Sequence, residues 1–113
     1  MELIDDAVLD TAKRILGDQF SLTLQNFLKE SEEALDEIKG QPGNVERVKF
    51  VMHDIKSSSA QFGLKKLSKK TEEIEYKIIN ASLEKTEIPQ TYFEQAIREI
   101  DDIFKQTVKV VSS

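Results

Sequence analysis

The fold of this 113-residue chain is decided by residues 44–63, which read NVERVKFVMHDIKSSSAQFG. Apolar or small residues recur here every three or four positions, the spacing that places them on one face of an amphipathic α-helix. That face consists of Val45, Val48, Met52, Ile55, Ser59 and Phe62. Asn44 belongs to the residue types that cap helix N-termini, and Gly63 suits the left-handed position that ends a helix. The stretch therefore predicts one helix between Asn44 and Gly63.

The same spacing continues on both sides of this stretch. Three further stripes are Phe20, Leu24, Phe27, Leu28, Ser31, Ala34, Leu35 and Ile38; then Leu67, Thr71, Ile74, Ile78 and Ala81; then Phe93, Ala96, Ile97, Ile100, Phe104 and Thr107. A leading stripe of Leu3, Val8, Leu9 and Ala12 predicts a short helix before them. Breaks are expected at residues 40–43, at Gly63 and at Pro89. Thr91 with Glu94 predicts a capping box at the start of the last helix.

Short connections between long helices imply antiparallel neighbours. The predicted fold class is therefore all-α, an antiparallel up-down four-helix bundle with a short extra N-terminal helix covering one end. Period-two alternation, the signature of a strand, does not occur. The length fits one domain, so residues 1–113 are expected to form a single domain.

The composition excludes several classes of protein. The chain has no cysteine, which rules out disulfides, thiol nucleophiles and cysteine metal sites. A net charge of −5 argues against nucleic-acid binding. No apolar run approaches the roughly 20 residues of a membrane helix, and the N-terminus is acidic, so a cytoplasmic protein without membrane insertion is expected. The carboxylates Glu72, Glu73 and Glu75 are interpreted as a solvated face.

The single histidine, His53, is predicted to lie on the surface. Each helical residue turns about 100°, which centres the apolar face roughly 135° away from His53. Its neighbours on the exposed side are the residues three, four and seven positions away. They are Glu46, Lys49, Phe50, Lys56, Ser57, Ala60 and Leu64.

These neighbours suit a phosphoacceptor histidine. A neutral imidazole nitrogen is available as a nucleophile near neutral pH and needs no activating base. Lysines offset the charge that a phosphoryl group brings. Small residues let another protein approach the ring, and Phe50 with Leu64 offers it apolar contact. Metal ions, where the chemistry needs them, would have to come from the partner, because histidine-based metal sites need several ligands.

The sequence resembles the histidine-containing phosphotransfer (HPt) domains of multistep two-component phosphorelays. The resemblance rests on His53 and the residues that follow it, which are apolar Ile55, Lys56, the small residues Ser57 and Ser58, and Gly63. It continues to Leu67 in the next helix. Residues 15–20 and 27–28 look like the family's second helix. The resemblance extends from about residue 8 to about residue 80, and the last helix matches in kind only.

The resemblance implies a monomeric four-helix bundle without an ATP site or cofactor. His53 would accept a phosphoryl group from the aspartate of a receiver domain, or from a hybrid kinase, and pass it to another receiver. Lys56 would hydrogen-bond the phosphoryl oxygens, and Mg²⁺ would be bound by the receiver. Ser57 and Ala60 would leave room for the receiver. Ser57 stands where the family usually has glycine.

The expected partner-contacting residues are Lys49, Phe50, Ser57, Ala60 and Leu64, with Gly63 as a structural residue.

Two alternatives stay open. The first is the phosphoacceptor and dimerisation domain of a sensor histidine kinase. Residues 53–57 resemble the histidine box of that domain. The box normally has proline at the position of Ser58. The second is a helical module that binds a partner without chemistry. The sequence leaves open the kinase, the receivers, the direction of transfer and whether the chain is a free-standing protein or part of a hybrid kinase.

Overall fold

The structure, a computed structural model, describes residues 1–112 and is helical almost throughout. Its helices are α1 (Asp6–Leu16), α2 (Phe20–Lys39), α3 (Val45–Gln61), α4 (Lys65–Glu84) and α5 (Gln90–Val111), and one turn of 3₁₀-helix (Gly17–Gln19) joins α1 to α2. Residues 1–112 contain no strand. The predicted all-α class is confirmed, and no helix in this part of the chain is long and apolar enough to cross a membrane.

Helices α2 to α5 form the four-helix bundle. Helix α3 packs against α2 and α4, α5 packs against α4 and α2, and the α3–α4 contact is the most extensive. The core is built from the apolar stripes of all four helices, with Ile38, Val48, Ile74 and Ile100 fully buried. The connections are short, at residues 40–44, 62–64 and 85–89, so consecutive helices reverse direction.

The turn between α3 and α4 depends on Gly63. Its φ of 72° lies in the left-handed region that favours glycine. The amide of Gly63 donates to the carbonyl of Ala60 (3.2 Å) and that of Leu64 to the carbonyl of Ser59 (2.9 Å), which together form a Schellman motif. A Cβ at position 63 would lie 2.6 Å from the carbonyl oxygen of Asp5. Glycine is thus required here by conformation and by space.

The N-terminal segment covers this end of the bundle, as expected. The amide of Asp5 donates to the carbonyl of Gly63 (2.7 Å), and the amide of Lys66 donates to the carbonyl of Leu3 (3.3 Å). Asp5 also caps α1, because its side chain accepts a hydrogen bond from the amide of Val8 (3.3 Å). Helix α1 is therefore tied to the turn that directly follows α3.

One predicted cap is confirmed and one is wrong. The side chain of Asn44 accepts a hydrogen bond from the amide of Arg47 (3.2 Å) and caps α3. Thr91 and Glu94 form no capping box, because α5 begins at Gln90, after Pro89, two residues before the start that a cap at Thr91 predicts. The fixed φ of proline suits the start of a helix, so Thr91 already lies inside α5.

Candidate functional site

His53 lies in the middle of α3, and its side chain is 62% exposed. The residues on the opposite face of α3, among them Val48, Ile55 and Ser59, are buried in the core. The helical phase read from the sequence thus places His53 correctly on the surface.

A single carboxylate of α4 holds both basic residues of the site. Glu75 Oε2 lies 2.7 Å from His53 Nδ1, and Glu75 Oε1 lies 2.6 Å from Lys56 Nζ. His53 and Lys56 are one turn apart on α3, so their side chains reach the same point on the neighbouring helix. The side chain of Glu75 is only 6% exposed. The structure therefore joins His53, Glu75 and Lys56 into one hydrogen-bonded cluster across the α3–α4 contact.

The interpretation of Glu75 as part of a solvated face is wrong. Glu73 is exposed and Glu72 half-buried, whereas Glu75 is buried. Glu75 follows Thr71 by four positions and precedes Ile78 by three, which places it on the buried stripe of α4. Its burial is compatible with charge because both carboxylate oxygens have a basic partner.

The electrostatics of the cluster determine which ring nitrogen is free. Burial raises the pKa of the Glu75 carboxyl, but the hydrogen bonds from Lys56 and His53 lower it, and the net pKa lies below the ordinary value. Glu75 is therefore ionised near neutral pH and can only accept hydrogen bonds. It follows that His53 Nδ1 carries the proton, and the neutral ring keeps the lone pair on Nε2.

Nε2 is the ring nitrogen that the contact with Glu75 leaves free, on a side chain that is 62% exposed. Within residues 1–112, no hydrogen bond involves it. An exposed imidazole held through one nitrogen presents the other as a nucleophile of fixed orientation.

Lys56 is more enclosed than a surface lysine usually is. Its side chain is 21% exposed, and its Nζ lies 5.7 Å from the centroid of the Tyr76 ring on α4. The hydrogen bond to Glu75 raises the pKa of the Lys56 ammonium, so this group is charged at neutral pH.

The other predicted neighbours of His53 divide by exposure. Phe50 is 58% exposed, and the guanidinium carbon of Arg47 lies 5.0 Å from its ring centroid. Ser57 is exposed, and its hydroxyl donates to the carbonyl of His53 (3.1 Å). Ala60 is exposed and Lys49 half-buried. All four therefore lie around His53 on α3, within reach of a partner that approaches the imidazole.

Leu64 is not one of these surface residues, and its predicted role in partner contact is wrong. Its exposed fraction is 0%. The prediction extended the period of α3 beyond its end, but the left-handed backbone of Gly63 turns the chain before Leu64, which then packs into the core. Gly63 itself has the structural role expected of it.

A groove lies beside the C-terminal half of α3. It has a volume of about 560 Å³ and runs between α1, α2 and α3. Its lining consists of Ala12, Ile15, Leu16, Thr23, Asn26, Phe27, Glu30, Ser58, Gln61 and Phe62. Ile15 on its α1 side is 77% exposed, which leaves an apolar side chain available to a partner. No local sequence pattern indicates this groove, because α1 and α2 are brought to α3 only by the tertiary fold.

Metal ligands are not clustered in the described part of the chain. Residues 1–112 contain no group of three or more histidine, cysteine or acidic side chains placed to hold one ion.

The comparison with protein families identifies one match. The family model described as "Hpt domain" matches residues 23–105, almost three quarters of the chain. The matched part contains α3 and α4 completely and most of α2 and α5, whereas α1 lies before it. The last helix, where the sequence resembles the family only in kind, falls mostly inside the matched part. Searches of the curated proteins and of the solved structures found no match.

Proposed function

The chain belongs to the Hpt domain family, whose members take part in two-component phosphorelays by histidine phosphotransfer, and we propose that it carries the phosphoryl group on Nε2 of His53. The observation that supports this assignment best is the hydrogen bond between Glu75 and Nδ1, which leaves Nε2 of the exposed ring available as the nucleophile. The proposed donor is a receiver-domain aspartyl phosphate or a hybrid kinase, and the acceptor is a second receiver. The protein itself is proposed to be a cytoplasmic monomer without an ATP site.

The proposed step transfers one phosphoryl group between an oxygen and a nitrogen. The lone pair of Nε2 forms a bond to phosphorus while the bond from phosphorus to the aspartyl oxygen breaks, and its electron pair returns to the aspartate as a carboxylate. The ring gains positive charge, and its proton stays on Nδ1, hydrogen-bonded to Glu75. Glu75 thereby stabilises the phosphorylated ring. The reverse step passes the group to the next aspartate.

Lys56 is proposed to stabilise the phosphoryl group. Its ammonium contacts the carboxylate that also holds His53 Nδ1, which places it beside the imidazole, and its flexible side chain is proposed to reach from there to the phosphoryl oxygens on Nε2. An ammonium is a compact point charge with three donors on a flexible side chain, which lets it turn from Glu75 toward a phosphoryl oxygen. Mg²⁺ is expected on the receiver, since this chain supplies no cluster of acidic ligands in its described part.

The receiver is proposed to dock over the exposed face of α3. Phe50, Ser57, Ala60 and Lys49 surround His53, and Ser58 and Gln61 of the same helix line the groove beside Ile15. A typical interface covers about 800 Å² on each partner, so a receiver that reaches Nε2 also covers these neighbours.

A transfer assay tests the proposed function. Several phosphorylated receivers are incubated with the wild-type protein and with His53→Gln, and acid-labile, base-stable label is followed. Label on wild type alone is the expected result. Label retained by His53→Gln would contradict the assignment, and a blank across a broad receiver panel would favour a module that only binds.

A charge placed in the docking face tests the proposed interface. Ala60→Glu adds a carboxylate beside His53, and it is expected to reduce transfer from a receiver at least tenfold because a desolvated like charge would face the acidic receiver site. Ser82→Glu, an exposed position at the far end of α4, is the matched control. Equal transfer by both variants would remove Ala60 from the interface.

The sensor-kinase alternative makes a different prediction about assembly. A kinase dimerisation domain contributes a helical hairpin and completes its bundle by pairing, whereas here one chain supplies α2 to α5. Light scattering is expected to give the mass of one chain. A stable dimer would favour the kinase domain.

A further inference from the structure

Tyr76 directly follows Glu75 on α4, and its ring contacts Lys56, a member of the cluster of His53, Glu75 and Lys56. Its side chain is half exposed, and its ring centroid lies 5.7 Å from Lys56 Nζ, within the range of a cation–π contact. Other contacts of this kind in residues 1–112 involve Lys13, Arg47 and Lys77. The cation at Tyr76 differs from these three because it touches the carboxylate that holds His53.

Two groups on α4 confine the Lys56 ammonium. Glu75 Oε1 lies 2.6 Å from Nζ, and the Tyr76 ring also faces it. A lysine side chain has four rotatable carbons and a high rotamer entropy, so each such contact reduces the volume that the ammonium samples. Because the same carboxylate binds His53 Nδ1, the confined volume is next to the imidazole.

The two groups differ in what happens once His53 is phosphorylated. Glu75 and the phosphoryl group are both anions, and they compete for the ammonium of Lys56. The face of the Tyr76 ring attracts a cation through its quadrupole and carries no net charge. It can therefore keep the ammonium in place while the ammonium turns from Glu75 to the phosphoryl oxygens.

We propose that Tyr76 is a positioning residue that holds Lys56 beside the phosphoryl group of His53. This role rests on the proposed function of His53 and adds to it a residue that contacts neither the imidazole nor the phosphoryl group. Two variants separate the ring from the hydroxyl: Tyr76→Phe keeps the aromatic face, and Tyr76→Leu removes it while retaining apolar bulk.

The contact itself is tested in the free protein, without phosphate or partner. Protons on the carbon next to Lys56 Nζ are expected to be shifted upfield by the Tyr76 ring in an NMR spectrum. The shift should persist in Tyr76→Phe and disappear in Tyr76→Leu. A Lys56 spectrum that is the same in wild type and Tyr76→Leu would overturn the proposal.

The functional effect is tested on phosphohistidine made without a receiver. Phosphoramidate is the donor: Nε2 bonds to phosphorus, the P–N bond of phosphoramidate breaks, and ammonia leaves with its proton from solvent. The rate of label loss is then measured. Tyr76→Leu is expected to lose label about two- to fivefold faster than wild type, the change that one cation–π contact produces. Tyr76→Phe should match wild type, as should Lys77→Met, which removes the analogous contact with Tyr92.

A double-mutant cycle distinguishes positioning from a direct role. In a Lys56→Met background, Tyr76→Leu is expected to have no further effect on label loss. An undiminished effect there would overturn the proposal and assign Tyr76 a role independent of Lys56. Failure of every receiver to label His53 would count against the proposed function alone, because the phosphoramidate reaction and the NMR shift need no receiver.

Discussion

Two carboxylates in residues 1–112 each bind two basic side chains, and one of them binds the proposed phosphoacceptor. Glu75 on α4 binds His53 Nδ1 at 2.7 Å and Lys56 Nζ at 2.6 Å. Asp101 on α5 binds Lys39 Nζ at 2.8 Å and Lys105 Nζ at 2.9 Å. Both acids are largely buried, with side-chain exposures of 6% and 14%. Charge pairing of this kind is thus a general feature of the bundle surface.

The difference lies in the partner. A lysine ammonium has no lone pair, so neither partner of Asp101 offers a nucleophile while it is paired. A histidine ring has two nitrogens, and binding one leaves the other available. The two partners of Glu75 also lie one turn apart on a single helix, whereas those of Asp101 lie on α2 and α5. An ion-pair cluster of the ordinary kind therefore becomes a candidate phosphoryl site when one of its two basic partners is a histidine in place of a lysine.

The largest expected effect is on transfer when Glu75 loses its charge. Glu75→Gln keeps the shape and an acceptor oxygen for Nδ1 but removes the charge that stabilises the phosphorylated ring. A hydrogen bond to a charged group contributes about 1.5–3 kcal/mol, so the transfer rate from a phosphorylated receiver should fall about ten- to a hundredfold. Single-turnover labelling of His53 measures it.

Asp101→Asn is the matched control for Glu75→Gln. It removes the charge of a largely buried carboxylate that binds two lysines and does not contact His53, and transfer should be unchanged. Equal losses in the two variants would mean that Glu75 acts on transfer only through folding stability.

A smaller effect is expected when Lys56, the lysine bound to Glu75, is replaced by methionine, and none when Lys39, a lysine bound to Asp101, is replaced in the same way. Lys56→Met should slow transfer or shorten the phosphohistidine lifetime by about three- to tenfold, because a positive charge next to a dianion is lost. Lys39→Met breaks the pair with Asp101 and should leave both quantities as in wild type. If the transfer rate and the phosphohistidine lifetime of Lys56→Met equalled those of wild type, Lys56 would be a partner of Glu75 with no role in transfer.

The smallest expected difference concerns stability in acid, where the two clusters should behave alike. Lysine and histidine partners outweigh burial and hold the pKa of Glu75 below its ordinary value, and the lysine partners of Asp101 do the same there. A lowered folded-state pKa contributes stability above the unfolded-state pKa that is lost as the pH falls through the folded-state value. Between pH 7 and pH 3, the free energy of unfolding measured with urea should therefore fall less in Glu75→Gln or Asp101→Asn than in wild type, by about 1 kcal/mol each. If the free energy of unfolding of both variants had the same pH dependence as that of wild type, this expectation would be contradicted.

Much of this architecture follows from periodicity, and the failures have physical causes. The four stripes, the surface position of His53 and the turn at Gly63 could be predicted because helical spacing and glycine conformation act locally. Leu64 was placed wrongly because a helical period does not extend beyond the left-handed residue that ends the helix.

Glu75 was missed because composition suggested a solvated acid, although its spacing from Thr71 and Ile78 marks the buried stripe. Its partners lie about twenty residues earlier, on α3, and no local pattern reports which side chains two packed helices bring together. Tyr76 was missed for the same reason.

The most direct test of the central claim is to identify the phosphorylated ring nitrogen. The protein, labelled with ¹⁵N in its single histidine, is phosphorylated by a receiver and examined by NMR for coupling between phosphorus and the ring nitrogens. The account predicts coupling to Nε2, with the proton retained on Nδ1 beside Glu75. Coupling to Nδ1 would contradict it, because that nitrogen would have had to leave Glu75 to become the nucleophile.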